Sequence, residues 1–138
     1  MYSRILISVL AAVALGAAAS GVAADNRITR QQMERLFLNM RISTPWDTNA
    51  PLLWGYFFTD PDTSKLERAG EKLGRDGYRV VAIRQAKNKP THFLHVERLE
   101  HHTPDSLHRR NLEFYALAES LGLESYDGMD VGPPPQAD

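Results

Sequence analysis

The chain has 138 residues, enough for one domain, with 16 Lys and Arg against 17 Asp and Glu and a formal net charge of −1. This near balance argues against a general binder of nucleic-acid phosphates, because such proteins normally carry a basic excess. The absence of cysteine excludes disulfides, thiol catalysis, cysteine-based metal sites and a lipid-modified cysteine anchor.

The first 24 residues have the plan of a secretory signal peptide. A positive charge at Arg4 precedes an almost continuously apolar stretch, residues 5–15, and small residues then lead to Val22 and Ala24 at the two small positions of a cleavage site. We expect cleavage after Ala24 and a periplasmic or secreted domain. The alternative is an uncleaved membrane anchor, because residues 5–24 carry no charge and are long enough to span a bilayer.

A helix and a loop are predicted between residues 25 and 51. Apolar side chains recur at i, i+3, i+4 and i+7 within residues 26–40, the spacing of an amphipathic helix, at Met33, Leu36, Phe37 and Met40. Thr29 is a candidate N-cap for this helix. The loop contains Trp46, which we expect either to fill the edge of the core or to belong to a binding surface.

Residues 52–59 form the most apolar and aromatic run beyond the N-terminus, and we interpret them as the central β-strand. The run ends in Asp-Pro-Asp at 60–62, a signal for a turn and a helix start. Alternation places two sets on opposite faces: Trp54, Tyr56 and Phe58 on one, and Leu53, Gly55 and Phe57 on the other. An exposed aromatic set would resemble a platform on which RNA bases stack. We favour cover by the N-terminal helix or by a second subunit.

A second helix is predicted from Asp62, its cap, to about residue 76. Gly70 inside this helix costs roughly 1 kcal/mol relative to alanine, which indicates close packing of the helix on the sheet. Gly77 is expected just beyond the helix, in the left-handed conformation that glycine adopts most easily.

The rest of the chain predicts a hairpin, a long helix and a last strand. The hairpin strands are residues 78–85 and 91–100, and Thr103 caps a helix that reaches about residue 121. Residues 123–126 are extended, and an Asp-Gly turn and a Pro-rich tail, residues 133–138, follow.

The order of elements is a helix followed by β-α-β-β-α-β, the ferredoxin-like pattern. It predicts an α+β domain, residues 52–132, with a four-stranded antiparallel sheet and two helices on one face, plus the extra N-terminal helix. The sequence indicates no repeat and no second domain.

The histidines do not predict a metal site. His92 and His95 lie three residues apart in a strand, so their side chains point to opposite faces and cannot chelate together. A zinc site drawn from Glu100, His101 and His108 has no recognised ligand spacing. We therefore expect no metal and no cofactor.

Four carboxylates leave open the alternative of a small hydrolase. Asp60 or Asp62 would have to meet Asp127 or Asp130, because hydrolysis by two carboxylates needs a close pair. The first two are better explained as turn and cap, and Asp127 as part of a turn with Gly128. We expect no catalytic residue.

Three segments carry the signature of one family: WGYFF at 54–58, GYRV at 77–80 and YDGMDVG at 126–132. Together with an intervening helix, they resemble the ribonuclease E inhibitor family called RraB, regulator of ribonuclease activity B, over residues 52–133. The Tyr-Asp-Gly-x-Asp ending is the most specific part, although Met129 stands where tryptophan is common. The resemblance implies a compact α/β sandwich that binds and inhibits the endoribonuclease and has no catalysis of its own.

We therefore expect an exported, non-catalytic module that binds an unidentified protein partner, with nucleic acid disfavoured and a membrane contacted only through an uncleaved N-terminal segment. A cytoplasmic ribonuclease E regulator is the alternative if the N-terminus is not a signal. The candidate partner surface comprises Trp46, Trp54, Tyr56, Phe58, Tyr126, Asp127 and Asp130.

Overall fold

The computed structural model describes residues 26–136, so the predicted signal peptide lies outside the described residues. Seven elements follow in the predicted order: α1 (Arg30–Ser43), β1 (Leu52–Asp60), α2 (Thr63–Arg75), β2 (Arg79–Gln85), β3 (His92–Glu100), α3 (Pro104–Ser120) and β4 (Ser125–Gly132). None of the helices in this part of the chain is long and apolar enough to cross a membrane.

The four strands form one sheet in the order β2-β3-β1-β4, and every neighbouring pair is antiparallel. This arrangement confirms the predicted ferredoxin-like α+β fold, with α1 as an addition to it. As a result β1 lies inside the sheet, between β3 and β4.

The three helices begin where their side-chain caps are. The Thr29 hydroxyl accepts a hydrogen bond from the Gln32 backbone N–H, and the Gln32 side chain accepts one from the Thr29 N–H. Thr103 and Ser106 form the same reciprocal pair at the start of α3, and the Asp62 side chain caps α2. These interactions satisfy backbone donors that the first turn of a helix leaves without partners.

Gly70 allows α2 to pack closely on the sheet, as predicted. A Cβ at this position would lie 3.3 Å from Val80 Cγ2 and 3.4 Å from Leu94 Cδ1. Gly77 ends the same helix region with φ at 96°, the left-handed conformation expected there.

The prediction of a turn at Asp127 and Gly128 is wrong, because β4 runs through both residues. Opposite them the pairing register shifts between Phe57 and Phe58, so β4 accommodates an extra residue in a β-bulge. Gly128 takes φ of 101° in this bulge. The Asp-Gly pair therefore bends a strand that continues to Gly132.

The hydrophobic core lies between the sheet and the helices. Trp54, Tyr56 and Phe58 on β1 face it and are at most 1% exposed. Phe37 of α1 stacks on Trp54 with ring centroids 5.9 Å apart, and Phe114 of α3 contacts Tyr56 at 4.8 Å. The N-terminal helix thus covers one end of the aromatic face of β1, which is the arrangement that the sequence favoured.

Candidate partner-binding site on the open face of the sheet

Four of the seven candidate surface residues are core residues, which corrects the expected surface. Trp54, Tyr56, Phe58 and Tyr126 are 0–4% exposed because they lie on the sheet face that the helices cover. Tyr126 also donates its hydroxyl hydrogen to Asn111 Oδ1, at 2.5 Å, inside the core. A partner cannot reach these side chains in this fold.

The other three residues lie in different places. Trp46 is half-buried in the loop before β1, and Asp130 of β4 is buried at 6% exposure. Asp127 is exposed at the bulge, although part of its carboxyl is removed from water. This partial loss of solvent raises the pKa of the carboxyl, with a further rise from the charge of Glu124 and an opposing effect from Lys89. The seven residues therefore do not form one surface.

The second alternation set of β1 lies on the face that is turned away from the helices. Leu53, Gly55 and Phe57 on this face pair with Leu99, Glu97 and His95 of β3 and with Gly132, Asp130 and Gly128 of β4. Alternation carries the side chains of these partners to the same face. We call it the open face.

A groove of about 610 Å³ lies at one end of the open face. Its walls include Trp46 from the loop, Leu53 from β1, Arg79 from β2, Glu97 from β3, and the tail residues 133–136. Trp46 packs against the core, which is one of the two roles expected for it, and its side chain also lines this groove. The groove has the concave, mainly apolar character of binding sites.

An ion pair between β2 and β3 forms the polar end of the groove. The Glu97 side chain is 4% exposed and the Arg79 side chain is 69% exposed. Arg79 donates from Nε to Glu97 Oε1 at 2.9 Å and also donates from Nη2 to the same oxygen. The buried carboxylate therefore holds an exposed guanidinium in a defined position.

Gly55 leaves room for two polar side chains to cross above β1. A Cβ on Gly55 would lie 2.1 Å from Asp130 Oδ1 and 2.7 Å from His95 Nε2. These two atoms are therefore at most 4.8 Å apart, the sum of those distances. The His95 ring also stacks on Phe57, with centroids 4.4 Å apart. The missing side chain of Gly55 brings a carboxylate and an imidazole together beside the groove.

The family model described as RraB, regulator of ribonuclease activity B, matches residues 31–131. The chain belongs to this family. Membership confirms the resemblance found in the sequence and gives the chain a regulatory, protein-binding role. A search of the curated proteins and a search of the solved structures gave no match.

The RraB match begins within α1 and ends at Val131 in β4. It therefore includes Arg79 and Glu97, together with the helix that covers Trp54. The tail wall of the groove, residues 133–136, lies entirely beyond the match.

A second polar cluster lies on the helix side of the sheet and serves packing within the RraB fold. The hydroxyl of Tyr56 and Nη1 of Arg110 each donate to Glu100 Oε1 at 2.7 Å, and His102 Nε2 lies 3.2 Å from the same oxygen. Burial alone would raise the pKa of Glu100, but hydrogen bonds with His102 and Tyr56 and the charge of Arg110 lower it to about 2. The cluster fixes α3 to the end of β3.

Glu100, which was considered as a zinc ligand, therefore has a structural role in this fold. Across residues 26–136 no group of three or more His, Asp or Glu side chains is arranged to hold a metal ion.

Asp60 and Asp130, one of the carboxylate pairs considered for hydrolysis, lie too far apart to act together. Asp60 accepts backbone N–H groups from Asp62 at 2.8 Å and Glu124 at 3.0 Å, one on each carboxylate oxygen. Asp130 pairs with Gly55, five residues away from Asp60 along β1, which is roughly 17 Å at the usual rise of a strand. Carboxylate pairs that hydrolyse glycosidic bonds lie about 5 to 9.5 Å apart.

Sequence reasoning assigned no role to Arg79, Glu97 or Leu53. The pairing of Arg79 with Glu97 depends on strand register, and the sequence does not show which face of β1 the helices cover. The alternation along β1 did contain a signal for an open face with a groove. The set on the face opposite Trp54 combines the small Gly55 with the apolar Leu53 and Phe57.

Proposed function

We propose that this protein is an exported, non-catalytic module that binds a protein partner through the groove on its open face. The observation that carries the proposal is the combination, in one member of a regulatory family, of an apolar groove with an exposed arginine fixed at its end. Trp46 and Leu53 supply the apolar area that anchors partner side chains in protein interfaces.

Export is supported by the N-terminal sequence. Residues 1–24 combine a basic start, an apolar stretch and a small-residue cleavage site, which is the arrangement of a signal peptide. The partner would then be a protein of the cell envelope or the surroundings.

A non-catalytic role is supported by the tasks that the polar groups perform. Asp60 holds two backbone N–H groups, Glu100 joins α3 to β3, and Glu97 holds Arg79. Each of these carboxylates thus has a structural partner in the fold.

A reporter fusion tests the compartment. Residues 1–30 fused to an enzyme that is active only after export should give activity, and the same fusion with the apolar stretch interrupted by two arginines should give none. A lack of activity from the unaltered fusion would refute export. It would then favour the second candidate, a cytoplasmic regulator of ribonuclease E, which the family match supports.

Site-specific photocrosslinking tests the groove. A photoreactive phenylalanine derivative at Trp46 should give a crosslinked protein of defined mass in living cells, and the same group at the exposed Arg68 of α2 should not. Identical products at both positions, or products at neither, would contradict binding through the groove.

A further inference from the structure

We propose that the groove binds an extended acidic segment of the partner, with an apolar side chain between Trp46 and Leu53 and a carboxylate on Arg79. The inference rests on the proposed function, since it names the chemistry of the partner at that same groove. It depends on the exposure and the remaining hydrogen-bond donors of Arg79, and on the apolar residues that form the groove walls.

Arg79 is prepared to receive a second carboxylate. A guanidinium has five N–H donors in a planar fork, and the two described bonds to Glu97 use Nε and Nη2. Donors therefore remain on a side chain that is 69% exposed. Because Glu97 already restricts the guanidinium, an incoming carboxylate meets a donor whose side-chain entropy is partly lost before binding.

The charges at this end of the open face differ in accessibility. The acids Glu97 and Asp130 are 4% and 6% exposed, whereas Arg79 of β2 is exposed. An approaching segment therefore meets the positive group at the surface and reaches the negative groups only in the interior. Such an arrangement selects acidic partners over basic ones.

The opposite wall of the groove is apolar and poor in backbone donors. Three consecutive prolines, residues 133–135, lack N–H groups and present rings beside Trp46 and Leu53. Strand β1 already pairs with β3 and β4 on its two sides, so its backbone offers no free strand edge in the groove. Since neither β1 nor this wall offers a free strand edge, we assign recognition there to side chains: an apolar one at Trp46 and an acidic one at Arg79.

Single-stranded RNA also combines negative charge with flat apolar groups. Its affinity normally depends on several Lys or Arg contacts to successive phosphates. The groove walls contain one arginine and no lysine, and that arginine is paired with Glu97. These observations favour an acidic peptide.

Fluorescence anisotropy with the purified protein tests the chemistry. The probes are a labelled short peptide that alternates glutamate with leucine, the same peptide with lysine for glutamate, and oligouridine RNA. We expect the glutamate peptide to bind at least about tenfold more tightly than either of the other probes.

Two arginines on β2 provide a matched comparison. Arg79→Gln should weaken binding of the glutamate peptide about tenfold, whereas Arg84→Gln should change it less than about twofold. Since Arg79→Gln leaves Glu97 buried without its cation, the double variant Arg79→Gln/Glu97→Gln keeps the site neutral and should show the same loss. Trp46→Ala should also weaken the glutamate peptide while circular dichroism shows an unchanged fold.

Three results would overturn the inference: equal affinity for the lysine peptide, equal losses in the two single arginine variants, or tighter binding of oligouridine. If the photocrosslink at Trp46 persists while the peptides are not discriminated, the acidic chemistry is wrong and the proposed function stands. If the crosslink is also absent, both are wrong.

Discussion

Substituting Gly55 by alanine should destabilise the protein, although alanine is normally the better residue in a strand. The added Cβ would lie 2.1 Å from Asp130 Oδ1 and 2.7 Å from His95 Nε2, and real Cβ atoms essentially never approach other atoms so closely. Asp130 is 6% exposed, so its carboxylate has little room to move aside.

The expected cost follows from two opposing effects. Overpacking of a buried site costs about 1 to 3 kcal/mol. Replacing glycine by alanine in a strand interior otherwise stabilises the folded state by roughly 0.5 to 1 kcal/mol. The net expectation for Gly55→Ala is a loss of about 1 to 2 kcal/mol in the free energy of unfolding. At about 4 °C per kcal/mol for a domain of this size, the melting temperature should fall by about 4 to 8 °C.

Urea unfolding followed by circular dichroism measures the effect, and Gly74→Ala is the matched control. Gly74 lies in α2 with no atom within 4 Å of its added Cβ, so alanine there should stabilise the protein by up to about 1 kcal/mol. Adding Asp130→Ala to Gly55→Ala should remove the part of the cost that the closer contact causes, while the contact with His95 remains. A Gly55→Ala protein as stable as the wild type would refute the crossing of Asp130 and His95 above this residue.

Three further predictions concern the helix side of the sheet. The pKa of Glu100 is lowered to about 2, so this side chain contributes stability above pH 4.5 that is lost as the pH falls towards 2. After solvent screening, the contribution to the free energy of unfolding is about 1.5 kcal/mol. The free energy of unfolding falls between about pH 6 and pH 3, and Glu100→Gln should remove the part of this fall that Glu100 causes. Phe37→Ala should cost about 3 to 5 kcal/mol in urea unfolding because it uncovers Trp54, whereas alanine at the exposed Leu38 should cost under 1 kcal/mol. Asp60→Ala should lower the melting temperature more than Asp60→Asn, because asparagine retains one acceptor for the two N–H groups. Equal effects within either pair of variants, or an unchanged pH dependence, would contradict the corresponding contact.

The starts of the helices were predictable from sequence because capping is local. Thr29, Asp62 and Thr103 each act on backbone groups within three residues, so the sequence contains all the partners. The close approach at Gly70 was predictable for a similar reason, since the cost of glycine in a helix needs a local explanation.

The orientation of β1 was not predictable in the same way. Both alternation sets contain large apolar side chains, and the choice between them depends on Phe37 and Phe114, which are distant from β1 in sequence. The bulge in β4 likewise depends on pairing with β1 and not on Asp127 and Gly128 alone. The local signal for a turn was real, but sheet pairing overrode it.

The groove was inaccessible to sequence reasoning because three distant parts of the chain form it. Trp46, Arg79 and the proline tail meet only after β1 enters the middle of the sheet. The family segment at 77–80 contains Arg79, yet neither its exposure nor its pairing with Glu97 can be seen without strand register.

The position of α1 has a consequence for the order in which the chain folds. The backbone N–H of Ile28 donates to the hydroxyl of Tyr115 at 3.0 Å across 87 residues of sequence. The first helix to leave the ribosome therefore finds its binding partner on α3 only after most of the chain has been synthesised, and contacts of such high sequence separation slow folding. The contacts between α1 and α3 are therefore among the last that the growing chain can complete, and the part of the core that α1 covers stays open until then.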